Sequence, residues 1–421
     1  MDASKAQNRS TLATIFLTVF LDMLGVTILI PVLPALFFTE ESSILSPDIS
    51  DTFKSVLFGL LLASYPILQF FGAPVLGALS DRHGRKPILS IALIGTLVGY
   101  LLFGVAILYK NLWLLFFSRM LPGFTGGNIA IVLSAIADVS DPASKAKNFG
   151  LVGAAFGLGF ILGPTIGGIL ADNTVVFWFD HATPFWFAAI LTLVNVILVK
   201  FSFPETLKNP NQTPITFTRG FENIKKSFAA PNLRGIFGVV LLQSLGFSFF
   251  TQFFSAYLYQ VFDFTEKNIG YLFGYVGIWL VLTQAVLVRR LSKYYGPSEL
   301  LRFSPLFLSI AIGMLLTPDN AIWFFVLNPF VAIFQGITAP NLTAFVSQQA
   351  HADQQGEILG INQSMISVGQ AIPPLIAGYL NALDPGLPLM AASLFVFAAW
   401  LAFVLIFGRK NNLKNYGNMP S

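Results

Sequence analysis

Long apolar stretches separated by short polar turns dominate this 421-residue chain. A helix needs about 20 predominantly apolar residues to cross a bilayer, and runs of that kind lie at 14–38, 55–79, 87–109, 112–138, 147–171 and 184–202. After a polar gap they resume at 234–262, 268–291, 298–316, 320–347, 357–383 and 386–408. The pattern predicts an all-α membrane protein with twelve transmembrane helices, in two six-helix bundles (1–202 and 234–421) joined by a cytoplasmic linker at 203–233. Within the linker, Phe217, Phe221, Ile224 and Phe228 recur at helical spacing with Arg219, Lys225 and Lys226 opposite. That predicts an amphipathic helix on the membrane surface, a tether with no chemistry of its own.

Composition agrees with the pattern: 55% of residues are hydrophobic and 10% charged, which excludes an ordinary water-soluble domain. Basic residues in short loops resist translocation and set orientation. Arg82, Arg85, Lys86, Lys145, Lys147, Arg289, Arg290 and Lys293 flank the even-to-odd turns, and Lys5, Arg9, Arg409, Lys410 and Lys414 lie near the ends. The odd-to-even loops carry Lys54, Lys110 and Lys267 and are acidic at Glu40, Glu41, Asp48, Asp51, Asp172 and Asp180. Both termini are therefore expected in the cytoplasm. The net charge of +4 reflects this asymmetry and does not point to nucleic acid, since no basic cluster stands beside exposed stacking aromatics. The first apolar run is too long for a cleavable signal and contains Asp22. Without cysteine there is no disulfide or thiolate site, and His83, His181 and His351 lie in separate loops, so neither a metal centre nor an enzyme is expected.

A few polar residues interrupt the spans. Asp22 in span 1 and Arg119 in span 4 are the oppositely charged residues placed near mid-membrane. Counting from Ala13, Asp22 lies about 13 Å deep, and Arg119 comes within a turn or so of that depth, so the two would pair if spans 1 and 4 are neighbours. A charge at that depth needs a partner or a watery cavity. The turn Gly77-Ala-Leu-Ser-Asp-Arg-His-Gly-Arg-Lys86 is short and highly charged. Gly77 would admit a neighbouring helix, Asp81 offers a carboxylate to a helix N-terminus, and Arg82, Arg85 and Lys86 hold the turn on the cytoplasmic face, with Gly84 as its turn glycine. Asp138, at the cytoplasmic end of span 4, opposes the helix dipole and calls for a cation. Span 5 carries Gly150, Gly159, Gly163-Pro164 and Gly167-Gly168, a spacing that lets another helix lie close, with Pro164 favouring a bend. Glu299 and Arg302 in span 9 have a spacing compatible with pairing.

The second half repeats the first in weakened form, the mark of a transporter fold. Gly150, Gly159, Pro164 and Gly168 recur 210 residues later as Gly360, Gly369, Pro374 and Gly378. Leu79-Ser-Asp-Arg-His-Gly84 is echoed by Leu291-Ser-Lys-Tyr-Tyr-Gly296, and Leu21-Asp-Met-Leu-Gly25 by Leu242-Gln-Ser-Leu-Gly246. The repeats have lost charge, with Gln243 opposite Asp22 and Ala332 opposite Arg119. Candidate substrate-binding residues are Tyr65, Gln69 and Asn128 in the first half and Gln243, Phe250, Tyr257, Gln335 and Gln363 in the second.

These motifs resemble those of the major facilitator superfamily, in particular its twelve-span drug:proton antiporters and, among them, the tetracycline/proton antiporters. Gly77-x-Leu-Ser-Asp-Arg-x-Gly-Arg-Lys86 matches the family's loop 2–3 motif, Gly150 through Gly168 its span 5 antiporter motif, and Arg119-x-x-x-Gly123 its span 4 motif, with Pro122 where a glutamine is usual. The resemblance implies the major facilitator fold, with Asp81 capping the start of span 11. It also implies that Arg85 pairs with Asp138 to lock the bundles while the cavity faces outward, that span 5 packing limits leak, and that Asp22 with Arg119 couples transport to protons. The expected activity is proton-coupled export of small lipophilic or amphipathic compounds from a monomer in the cell (inner) membrane. Its partners would be substrate, protons and lipid, with no cofactor besides the proton gradient. Export of an endogenous metabolite such as a siderophore or glycolipid, sugar or organic-acid symport, and a non-transporting receptor are the alternatives.

Overall fold

A computed structural model of the chain describes residues 2–39, 43–140, 145–207, 210, 217–229, 233–349 and 355–408. The predicted apolar runs are helical in it. In chain order the helices are α1 (Asp2–Thr27), α2 (Val32–Phe38), α3 (Asp51–His83), α4 (Arg85–Leu108), α5 (Leu112–Thr125), α6 (Ile129–Val139), α7 (Lys145–Leu170), α8 (Thr183–Ser202) and α9 (Arg219–Ala229). They continue as α10 (Arg234–Phe262), α11 (Glu266–Leu282), α12 (Arg289–Leu291), α13 (Pro297–Leu300), α14 (Ser304–Met314), α15 (Ile322–Gln348), α16 (Gln355–Leu383) and α17 (Leu387–Phe407). Among the described residues, nine helical segments are long and apolar enough to cross a bilayer. The predicted spans 5, 9 and 11 appear as α7, α13 with α14, and α16.

Four predicted spans are not continuous α-helix. Span 1 breaks between Thr27 and Val32, where Pro31 supplies no N–H and the chain makes tight turns such as Val32 N–H to Leu29 O at 3.0 Å. Span 4 tightens into a 3₁₀ turn at Gly126–Asn128 between α5 and α6, and span 8 widens into a π-helical stretch at Thr283–Val288. Span 9 is interrupted at residues 301–303. There Glu299 accepts from Gly296 N at 3.0 Å and Arg302 donates to Gly408 O at 3.2 Å, so the expected Glu299–Arg302 pair is replaced by two separate backbone caps. Span 5, by contrast, runs unbroken through Pro164.

The described residues pack as two compact units. One comprises residues 1–50, 64–218 and 264–277, and the other 51–63, 219–263 and 278–421. In the first, α1 lies along α7 and α8, and α4 along α5 and α8, around a core that includes Ile15, Val19, Leu89, Leu93, Ile131 and Phe203. In the second, α10 packs on α16 and α17, and α14 on α15 and α17, around Phe237, Val240, Phe345, Phe403 and Phe407. The amphipathic helix α9 belongs to the second unit, where Asn223 on it donates to Ser364 Oγ of α16 at 3.2 Å.

Candidate functional site: a buried polar centre and a clamped charged turn

The span 5 glycines sort by face. Added Cβ atoms at Gly159 and Gly163 would lie 2.8 Å from Leu24 N and from Leu24 O, and one at Gly167 would be 2.9 Å from the Ile28 carbonyl carbon. These three admit α1, and Thr27 Oγ1 donates across the crossing to Gly159 O at 3.0 Å. Gly168 faces the other way, toward Gly270 of α11, whose added Cβ would sit 2.8 Å from Pro164 O. The side of Gly150 lies outside the described residues. The repeat holds in space: Gly369 meets Ser244 and Leu245 of α10, and Gly378 meets Ser55 and Gly59 of α3.

Close approach also builds the polar centre of the first unit. A Cβ on Gly123 would be 2.7 Å from Tyr65 O, and one on Gly127 2.6 Å from Ala73 Cα, so α5 and the 3₁₀ turn lie directly on α3. Pro122, the residue that departs from the family motif, packs on Gly99 of α4. As a result the Arg119 guanidinium lies over the Tyr65 ring, 4.9 Å from its centroid. Asp22 does not pair with Arg119. Its carboxylate accepts from Asn128 Nδ2, supplied by the 3₁₀ turn. Gln69 Nε2 donates to Gly126 O at 3.0 Å and braces the same turn.

Arg119, Tyr65 and Asn128 are buried, and Asp22 is partly exposed. Tyr100 of α4, which the sequence did not single out, is buried against Gly25 of α1 within electrostatic range of both Asp22 and Arg119. Neither its hydroxyl nor Arg119 Nε has a hydrogen-bond partner among the described residues. Chemically, the centre is a carboxylate held by an amide, with a guanidinium held on an aromatic face nearby and phenols around both.

In the second unit, Gln243 Nε2 approaches Gln335 Oε1 at 3.4 Å. Phe250 and Tyr257 are buried in aromatic packing, Phe250 against Phe247 and Phe254, Tyr257 against Phe262 and Phe324. Gln363 is exposed.

The charged turn at residues 77–86 is a second cluster. Arg85 Nε donates to Asp138 Oδ2 at 3.1 Å, the expected pair, while Nη1 donates to Ser80 Oγ at 2.8 Å and pairs with Asp81. The expected capping of span 11 by Asp81 involves residues 350–354, which lie outside the described residues. A Cβ on Gly77 would make an ordinary contact with Ala130 Cβ at 3.8 Å, so among the described residues no close helix approach requires glycine there. Arg82 is exposed and Lys86 partly so.

One participant is absent from the sequence reading. Glu205, three residues after α8, accepts from the N–H groups of Arg85 (2.9 Å), Lys86 (3.1 Å) and Leu207 (2.9 Å). It satisfies two of the N–H groups that the first turn of α4 leaves open. Its neighbour Thr206 donates to Asp138 Oδ2 at 3.2 Å. Gly84 has φ +104, and an added Cβ would come 3.0 Å from Glu205 Cδ, so both conformation and space require glycine there. The available signal was the stretch Pro204-Glu205-Thr206 directly after a span, which in isolation looks like a solvated linker.

Nine bilayer-length apolar helices among the described residues, an internal repeat in sequence and packing, and a charged centre inside an apolar unit define a polytopic membrane transporter. The chain belongs to the Major Facilitator Superfamily, whose family model matches residues 15–374 and again 236–418. It is a transporter and not an enzyme. It is similar to the tetracycline resistance protein, class H, of Pasteurella multocida, with 29% identity over 387 residues and 89% of each chain covered. It is also similar to multidrug resistance protein 1 of Bacillus subtilis, with 30% identity over 91% of this chain and 92% of that one. Among solved structures, the human organic anion transporter MFSD10 (TETRAN) matches with a TM-score of 0.70 at 23% identity, over 94% of this chain and 99% of that one. A D-xylose–proton symporter matches with a TM-score of 0.75 at 15% identity, over 93% and 96%. At these identities the structural likeness speaks for the fold.

Proposed function

We propose that the protein is a proton-coupled antiporter exporting small lipophilic or amphipathic compounds, of the drug or tetracycline type, by alternating access. The observation that carries the reading is Asp22, a half-buried residue deep in span 1 whose carboxylate is held by the Asn128 amide and not paired with Arg119. A group so placed can take a proton from one side and give it up to the other as the bundles rock. Similarity to tetracycline and multidrug resistance proteins supports the substrate class.

In this reading the bundles are 1–202 and 234–421, the linker at 203–233 joins them, and both termini are cytoplasmic in the inner membrane. A monomer works with the proton gradient as its energy source. The Arg85–Asp138 pair steadies the state that faces outward. Tyr65, Gln69, Asn128, Gln243, Gln335 and Gln363 are the polar groups assigned to substrate. Phe250 and Tyr257 contribute apolar wall, in keeping with their packing.

The test is Asp22→Asn in proteoliposomes under an imposed proton gradient, with tetracycline and a small panel of lipophilic cations. Gradient-driven export is expected to vanish while substrate exchange without a gradient persists. Full gradient-driven export by the variant would reject the coupling assignment, and uptake driven by the gradient would favour a symporter.

A further inference from the structure

At the end of α7 remote from Arg85, a lysine–aspartate ion pair and a histidine–glutamate contact tie the α7–α8 connection to the first turn of α11. Lys267 Nζ lies 3.4 Å from Asp172 Oδ2, and His181 Nε2 lies 3.0 Å from Glu266 Oε1. They sit at the end of a close helix crossing, where Gly168 packs on Gly270 and Thr165 Oγ1 donates to Gly270 O at 3.2 Å. We infer that these pairs form a pH-responsive staple, in which protonation of His181 tightens the hold of the α7–α8 connection on α11 as the medium at that face acidifies.

The charges around the imidazole favour this assignment. From its own segment Asp180 is turned away, since its Oδ1 accepts from Ala182 N (3.0 Å) and Thr183 N (2.8 Å) at the start of α8. From α11 come Glu266 and Lys267, and from the end of α7 comes Asp172, which engages Lys267 and leaves Glu266 to His181. Histidine is the side chain suited to change charge between pH 5 and 8. A neutral ring donates one hydrogen bond to Glu266, whereas the protonated ring forms an ion pair. The His181 and Glu266 side chains are 25% and 17% exposed, so the added attraction is less screened than on an open surface.

The internal repeat supplies a comparison. A shift of 211 residues carries Ser55 onto Glu266 and Gly59 onto Gly270. In the second unit the equivalent crossing, Gly378 on Gly59, is fastened by Asn381 Nδ2 to Ser55 Oγ (3.1 Å) and Gln260 Oε1 (3.3 Å). That fastening has no titratable member. Of the two equivalent crossings, one alone carries a group that reads pH.

The consequence for transport rests on the alternating-access reading, but the staple can be tested without it. The chain has no cysteine, so Asn173→Cys with Asn268→Cys gives two unique, exposed spin-label positions across the staple. Their separation is measured by double electron–electron resonance in nanodiscs, with no substrate and no gradient. Between pH 8 and pH 5 the ratio of short to long separations is expected to rise about two- to fivefold. His181→Gln, or Glu266→Gln should that variant fold better, is expected to flatten the response. Asp172→Asn is expected to lower the short fraction at both pH values while keeping the response. No pH dependence in the parent double-cysteine protein, or an unchanged one in both His181→Gln and Glu266→Gln, overturns the staple. A chain that moves no protons would still show the expected distances, so failure of the export reading is separable.

Discussion

Replacing Glu205 by alanine removes one carboxylate that serves three backbone donors, two of them at the start of α4. An N-terminal cap is worth about 0.5–2 kcal/mol, and a negative charge near a helix N-terminus adds about 0.3–1 kcal/mol. Glu205 is exposed, so water replaces part of what is lost, and the expected cost is about 1–2 kcal/mol, mostly local. Because Arg85 supplies both a capped N–H and the guanidinium bound to Asp138, loosening its backbone also loosens the pair. The assay is amide hydrogen exchange of the peptide that starts at Arg85, in detergent or nanodiscs, where that cost corresponds to about 5- to 30-fold faster exchange. Glu205→Gln keeps one acceptor oxygen and should fall between the parent and alanine. Unchanged exchange at Arg85 and Lys86 in Glu205→Ala would refute the capping argument.

Three further outcomes follow from the geometry. Gly163→Ala should destabilise the protein by about 1–3 kcal/mol, because the new methyl would meet Leu24 O at 2.8 Å and Thr27 Cβ at 3.1 Å. Gly157→Ala, with nothing within 4 Å, should be neutral or stabilise the helix by up to about 1 kcal/mol, and thermal melts distinguish the two signs. Partial burial works to raise the Asp172 carboxyl, but its hydrogen bonds with Thr174 and its contact with Lys267 outweigh that and hold it below the usual carboxylate range. A depressed folded value means stabilisation that is present above the unfolded value, about 3.9, and lost as pH falls through the folded one. Asp172→Asn should therefore lower the melting temperature at pH 7 and leave it unchanged in strong acid.

The helical apolar runs, the amphipathic helix α9 and the span 5 crossing were legible in the sequence because each depends on periodicity along one helix. Helix breaks were less so: hydropathy stays high through Ile28–Pro31 and Thr283–Val288, where hydrogen bonding and not polarity changes. Partners across helices were the hardest to read. Counting along the spans puts Asp22 and Arg119 within about a turn of each other in depth, yet depth leaves rotation free, and the glycines at 123 and 127 turn Arg119 to Tyr65 while the 3₁₀ turn delivers Asn128 to Asp22. Tyr100 looked like one apolar-span aromatic among many, and Glu205 like any solvated acid. For Asp138 the residues alone called for a cation at the end of span 4, and it was the resemblance of the 77–86 turn to the family motif that named Arg85.

The position of Glu205 and Thr206 also constrains how the molecule can be cut or extended. Chain leaving α8 is fastened to the turn before α4 within a few residues, so a protease site or fused reporter placed before Leu207 would pull directly on Arg85. Handles for cutting the chain belong further along, where tension would first have to break three hydrogen bonds before reaching the Arg85–Asp138 pair.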